Sequence, residues 1–241
     1  CYSLIQADDG GFLLGGRARD ANQRYNFSLL RVSADGERLW WRIYEEPNNS
    51  QCRAVIELKS GEFIGVGRGG EEGEAYAVMV NGDGDVLWEN TYPGELFYAL
   101  RETQGGLLFA GWTAISGSSE RWLLKTDFDG EVLWSRTYNA GKLLSLVSCP
   151  EGGFAAGGHN FPGEDVNWSL LRVNDEGEQL WNRFYDIGES DQFACLTCLF
   201  DGGFALVGTT SPRHGLPTIL RTDSAGNIQW SRTDNNNING G

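Results

Sequence analysis

The segment FYALRETQGGLLFAGW at residues 97–112, continued by RWLLKTDFDGEVLWSRTY at 121–138, reads as four short strands. Strand A covers about 97–103 and turns at Gln104-Gly105-Gly106. Strand B covers about 107–112. Strand C covers about 121–127 and turns at Phe128-Asp129-Gly130 into strand D, about 131–138. Both turns are short and carry Gly, as antiparallel hairpins require. No stretch between turns holds a 3.6-residue period, so no helix is expected.

The same pattern recurs along the whole chain. Trp40, Trp88, Trp134, Trp181 and Trp230 are separated by 48, 46, 47 and 49 residues. Just before each lies a turn with Gly: Asp35-Gly36, Asp83-Gly84, Asp129-Gly130, Glu176-Gly177 and Ala225-Gly226. Four residues after the first four Trp stand Tyr44, Tyr92, Tyr138 and Tyr185; Asp234 takes that place in the fifth copy. Upstream, each copy has a Gly-bearing triplet centred on Gly11, Glu62, Gly106, Gly153 or Gly203. Five residues further on comes Gly16, Gly67, Gly111, Gly158 or Gly208. Four antiparallel strands at a period of about 47 residues describe propeller blades. The expected fold is all-β: a five-bladed β-propeller of four-stranded antiparallel blades. Its single domain is expected over 1–234, with repeats at about 1–45, 46–93, 94–139, 140–186 and 187–234. The 235–241 run departs from the repeat and reads as a loose tail.

A second stretch carries a family resemblance. DQFACLTCLFDGGFALVGTT at 191–210, followed by ILRTDSAGNIQW at 219–230, resembles the tandem propeller repeats of bacterial and archaeal surface proteins. WLLKTD at 122–127, with Gly130 and Trp134, matches the same pattern. The C–D hairpin is also similar to the tryptophan-docking repeat of quinoprotein-like propellers. The resemblance covers roughly residues 2–233. It implies a propeller, and a setting at the outside or surface of a prokaryotic cell. It implies no particular activity, because one fold hosts many functions.

Composition narrows the partners. A formal charge of −14 and a pI of about 4.5 repel nucleic acid and anionic membrane, since both need Lys and Arg to neutralise phosphate. No apolar run is long enough to span a bilayer, so no membrane insertion is expected. Five cysteines with no evident pairing read as largely free thiols, with Cys195 and Cys198 on opposite faces of one strand. Cys1 begins the sequence as the first residue of a lipoprotein would. It occupies the same aligned position as Cys52, which makes it an ordinary repeat residue.

The repeated aromatics have a structural reading. Across each C–D hairpin, Trp40, Trp134, Trp181 and Trp230 should face Arg31, Lys125, Arg172 and Arg221, followed two residues on by Arg42, Arg136, Arg183 and Arg232. Cations over indole faces would then join blade to blade. The second copy has Met79 and Asn90 instead.

Length varies only in the B–C and D–A connections, which lie together on one face. Loops on a rigid scaffold carry binding, so this is the candidate face. Trp112 and Trp168 flank its loops, unlike the in-register Trp. Arg17, Arg19 and Tyr25 come from the first copy, His159, Phe161 and Asp165 from the fourth, and Arg213 and His214 from the fifth. Aromatic plates beside polar groups suit a glycan or a protein ligand.

Catalytic chemistry is thin. Two His cannot build a multi-His metal centre, and no nucleophile elbow, phosphate loop or zinc-protease motif is present. The acids near Asp35, Asp83, Asp129 and Asp175 are spread around a rim, where Asp-Gly has a backbone reason to exist. A glycosidase would need facing carboxylates; Glu57 and Glu102 on the first strands are one register step apart. The reading is a non-catalytic recognition module with no cofactor or metal. The alternative is a structural repeat scaffold for assembly or display.

Overall fold

Gly-bearing turns fold each repeat back on itself, and β-branched and aromatic runs between them pair as strands. The computed structural model describes residues 1–44, 48–114, 117–161, 166–188, 191–210 and 215–234. The expected tail at 235–241 lies outside them. β1 (Ser3–Gln6), β2 (Phe12–Arg19), β3 (Tyr25–Val32) and β4 (Arg38–Tyr44) form the first sheet in that order. β5 (Gln51–Glu57), β6 (Phe63–Gly69), β7 (Glu74–Val80) and β8 (Val86–Tyr92) form the second. The third repeat supplies β9 (Leu96–Thr103), β10 (Gly106–Thr113) and β11 (Glu120–Thr126), then β12 (Val132–Ser148). The fourth continues with β13 (Phe154–Asn160), β14 (Asn167–Val173) and β15 (Gln179–Tyr185). β16 (Asp191–Cys198), β17 (Phe204–Thr210), β18 (Leu216–Thr222) and β19 (Ile228–Thr233) form the last sheet. All paired strands with a described register are antiparallel, and the described residues contain no helix.

One boundary differs from the expectation of five separate sheets. β12 runs unbroken through Asn139 and Ala140, where a repeat boundary was expected. Asn139 and Gly141 (φ 140°) stand there without breaking the strand. The last strand of the third repeat therefore continues as the first strand of the fourth, and β9 to β15 form one hydrogen-bonded order. The chain divides into two compact units, Cys1–Thr137 and Tyr138–Gly241.

Within the first unit, the first and second sheets bury Leu13, Phe27, Leu29, Val55, Phe63 and Val78 between them. The second and third bury Ile64, Val66, Phe97, Leu100, Phe109 and Trp122. Trp122 stacks on Phe97 with ring centroids 4.8 Å apart. In the second unit, Trp168, Leu170, Phe193, Leu196 and Leu206 form the equivalent layer.

The register tryptophans link each sheet to the hairpin turn of the next. Trp40 Nε1 donates to the Gly82 carbonyl at 2.8 Å, and Trp88 Nε1 to the Phe128 carbonyl at 2.9 Å. Tyr92, Tyr138 and Tyr185 hydroxyls donate to the carbonyls of Gly130, Gly177 and Gly226 at 2.9, 2.6 and 2.8 Å. The indole of Trp40 lies flat enough on Gly84 (φ 80°) that any side chain there would strike it. The expected cation–indole pairing is only partly present. Arg42 and Arg183 do lie over Trp40 and Trp181, at 6.0 and 5.5 Å. Arg31 faces Trp40 in register but donates instead to the carbonyls of Phe12 and Val32 and to Asp9. Arg172 likewise binds the carbonyls of Phe154 and Val173. These are buried carbonyl ends of the strands, and a guanidinium satisfies several at once. Asn90 in the second repeat donates to Gly130, the bond that Arg42 makes to Gly84.

The first strand of the second to fifth repeats carries a bulge at one place. The register slips between Cys52 and Ala54, between Phe97 and Ala99, between Leu143 and Ser145, and between Phe193 and Cys195. The extra residues are Arg53, Tyr98, Leu144 and Ala194. Tyr2, just before Ser3 pairs with Gly15, holds the corresponding place. The bulge brings the first strand's backbone hard against the second strand. A Cβ at Gly67 would run into the Gln51 carbonyl oxygen, and one at Gly111 into that of Leu96. This explains the glycine that recurs in every second strand. Gly67→Ala should therefore cost about 1–3 kcal/mol in urea unfolding, as overpacked sites do. A loss below about 0.5 kcal/mol, the range of neutral surface changes, would show that the approach is not tight.

Candidate binding face

The five C–D turns, 33–37, 81–85, 127–131, 174–178 and 223–227, are equal in length. In four of them the first residue, Asn81, Asp127, Asn174 or Asp223, accepts two backbone N–H groups with its own side chain. Asp127 and Asp223 thus serve the turn itself. The A–B turn side is equally committed. Glu57 accepts the Asp8 N–H at 2.8 Å, and Glu102 the Lys59 N–H at 3.1 Å. Each acid ties its strand to the preceding repeat's turn. A concavity of about 660 Å³ on this side is lined by Leu58, Lys59, Met79, Trp88 and Glu102, and Lys59 Nζ lies 3.9 Å from Glu102.

The opposite end of the first unit holds a row of alternating Tyr and Arg. Arg53 lies over the Tyr2 ring at 4.3 Å and over Tyr98 at 5.4 Å. Arg17 lies over Tyr2 at 5.7 Å and over Tyr25 at 3.8 Å. Arg19 lies over Tyr25 at 4.8 Å and donates to its hydroxyl at 2.7 Å. The row crosses three sheets. Tyr2, Arg53 and Tyr98 come from the first-strand bulges. Arg17, Arg19 and Tyr25 come from the ends of β2 and β3 beside the first B–C loop. A bulge re-aims a side chain that strict alternation would send elsewhere.

Electrostatics follow the contacts. The Arg19 hydrogen bond, with Arg19 and Arg17 charge beside it, holds the Tyr25 phenol below its ordinary value. Burial pushes Tyr98 up, against the pull of Arg53. Among the described residues, no carboxylate forms an ion pair with Arg17, Arg19 or Arg53, whereas Arg24, Arg31, Arg42, Arg68 and Arg221 each have one. Stacking on a ring contributes about 0.5–1 kcal/mol at an exposed site, so it fixes the guanidinium planes at little cost. On the same side, Glu71, Glu72, Glu74 and Glu89 line a cleft of about 580 Å³ in the second repeat.

The structure sorts the remaining expected site residues. Trp168 is fully buried and packs edge-on against Phe193 at 6.0 Å, so it belongs to the core and not to the loop surface. It begins β14, where the inward side of the strand faces the next sheet. Trp112 is half-buried within β10, paired with Arg121 and Leu96. His159 and Phe161 are neighbours, with ring centroids 6.3 Å apart. Asp165, Arg213 and His214 lie outside the described residues. All five cysteines are free thiols, as expected, and Cys149 and Cys198, from adjacent repeats, bring their sulfurs to 3.6 Å. Their mutual hydrogen bond raises the Cys149 thiol and lowers that of Cys198. Among the described residues, no group of three or more His, Cys, Asp or Glu is placed to hold a metal ion.

Neither a protein-family model nor a curated protein matches the sequence. Solved structures do. A Bacteroides caccae protein of unknown function aligns with TM-score 0.62 at 17% identity, over 97% of this chain and 81% of that one. A Dyadobacter fermentans protein of unknown function aligns with TM-score 0.60 at 14% identity, over 96% and 81%. The Neurospora crassa Pan2 WD40 domain aligns with TM-score 0.67 at 11% identity, over 95% of this chain and 64% of that one. The chain thus spans less than two thirds of that WD40 structure. At these identities the likeness speaks to the fold alone, an all-β propeller type.

His159 gives this region a pH dependence. Its Nε2 accepts the Phe193 backbone N–H at 2.9 Å, which requires a neutral ring. Burial, then Lys142, holds its pKa below the ordinary 6.5. A depressed histidine contributes stability that is present above pH 6.5 and lost as the pH falls through the folded-state value. Between about pH 7.5 and 5.5 the wild type should lose more melting temperature than His159→Gln, which cannot protonate. Equal losses in both proteins would remove His159 from this account.

Proposed function

We propose that the chain is a non-catalytic recognition module, a five-bladed propeller over residues 1–234 that binds its ligand on the loop face. The observation that carries this reading is the Arg/Tyr row across three sheets, with guanidiniums that form no ion pair among the described residues. The fold holds the hairpin-turn face constant and leaves the other face to vary, which is how a scaffold separates stability from binding. The carboxylates and histidine that an enzyme would need are engaged as backbone acceptors: Glu57, Glu102 and His159 each hold an N–H. A glycan suits the row best. Amphipathic rings and in-plane N–H donors meet the C–H faces and hydroxyls of sugars.

A glycan array probed with the purified chain and with the double variant Tyr2→Ala/Tyr25→Ala tests the reading. Both rings are at least partly exposed, so the melting temperature should hold. Glycan capture by the wild type and its loss in the variant are expected. Capture that survives the double substitution would move the site off this face. No capture of any glycan would turn the reading to a protein ligand.

A further inference from the structure

Resting on that reading, we infer that the loop face of the first unit takes an acidic oligosaccharide, one whose carboxylate or sulfate groups recur along the chain. Three observations converge. First, the protein carries a formal charge of −14, yet Arg17, Arg19 and Arg53 stand together without an ion-pair partner among the described residues. Cations grouped in this way repel one another, and an arriving anion relieves that repulsion. Secondly, each guanidinium lies against a Tyr ring; Arg19 spends its terminal nitrogens on Gln23 and Tyr25, so the forks that meet an anion are those of Arg17 and Arg53. A planar fork of N–H groups matches carboxylate or sulfate oxygens two at a time. The Nε of Arg53 is shielded from solvent and has no hydrogen-bond partner, so that arginine binds through its terminal nitrogens. Thirdly, the charges do not converge on one point. Arg53 and Arg17 are separated by the Tyr2 ring, and Tyr25 lies against both Arg17 and Arg19. A lone phosphate would call for convergent donors. A spaced row fits repeated charges on a polymer. The acidic cleft of Glu71, Glu72, Glu74 and Glu89 marks where such a chain must turn away.

Nucleic acid is also a repeated anion, so an oligonucleotide is tested beside the glycans. The test uses the full chain with four probes: oligogalacturonate for carboxylate, chondroitin sulfate oligosaccharide for sulfate, cello-oligosaccharide as the neutral control, and a single-stranded oligonucleotide. Affinity is read by titration calorimetry at low and moderate salt. At least one of the two acidic glycans should bind, more weakly as salt rises. Arg53→Ala and Arg17→Ala should each weaken that binding tenfold or more at unchanged melting temperature. Arg53→Lys should recover only part, because it keeps the charge and loses the fork. Arg38→Ala, an exposed arginine at the turn end of β4, should bind as wild type does. Which acidic glycan binds decides between carboxylate and sulfate. Binding of the neutral probe, unaffected by Arg53→Ala, would overturn the inference and leave glycan recognition standing. Preference for the oligonucleotide would overturn it as well. Silence with every glycan would bring down the glycan reading and this inference together.

Discussion

The structure depends on an aromatic ring set against a glycine turn. Trp40 and Trp88 each donate an indole N–H to a carbonyl in the following repeat's C–D hairpin, and Tyr92, Tyr138 and Tyr185 reach the glycine carbonyl of that same kind of turn. The hairpin must therefore show a carbonyl outward and leave room for a flat ring. Only a residue without Cβ, at positive φ, does both at Gly84. This contact is made to the turns of the second to fifth copies and holds their length. It leaves variation nowhere to go but the opposite loops.

The first strand of each repeat works differently at its two ends. At the turn end, Glu57 and Glu102 accept backbone N–H groups from the preceding repeat and hold neighbouring sheets together. At the loop end, a bulge puts one residue outside the pleat. Arg53 and Tyr98 stand at such slips, and Tyr2 holds the corresponding place before Ser3. The same strand thus secures the scaffold at one end and sets side chains of the Arg/Tyr row at the other.

Much of this was legible in the residues. The tryptophan spacing and the glycine turns came from pattern alone, and Arg17, Arg19 and Tyr25 entered as candidates because they flank a loop. Tyr2, Arg53 and Tyr98 were missed for a physical reason. Reading a strand assumes strict alternation, and an inserted residue is the one position to which alternation does not apply. Their shared offset from the strand start, Tyr2 and Arg53 each following the aligned cysteines, was the available signal. Trp168 was misplaced because nearness to a loop in sequence does not say which side of the strand faces the neighbouring sheet. Cys149 and Cys198 are free thiols as read, but their contact was not legible: they sit one register position apart in different repeats, where only three-dimensional stacking brings sulfur to sulfur. The unbroken β12 was hidden for a similar reason: nothing at Asn139-Ala140 compels either a turn or its absence.

The bulge position also holds Leu144 and Ala194 in the later repeats. Four copies of one backbone slip thus carry a guanidinium, a phenol, an isobutyl group and a methyl group, and Tyr2 puts another phenol at the corresponding place in the first repeat. The slip is maintained by the glycine opposite, whatever side chain occupies it. For an evolving lineage this is a socket with a standard fitting: a substitution there changes the exposed side chain without reopening the problem of folding. Duplicating a repeat copies the socket along with the scaffold, so a new side chain can be tried on one copy while the others keep the old.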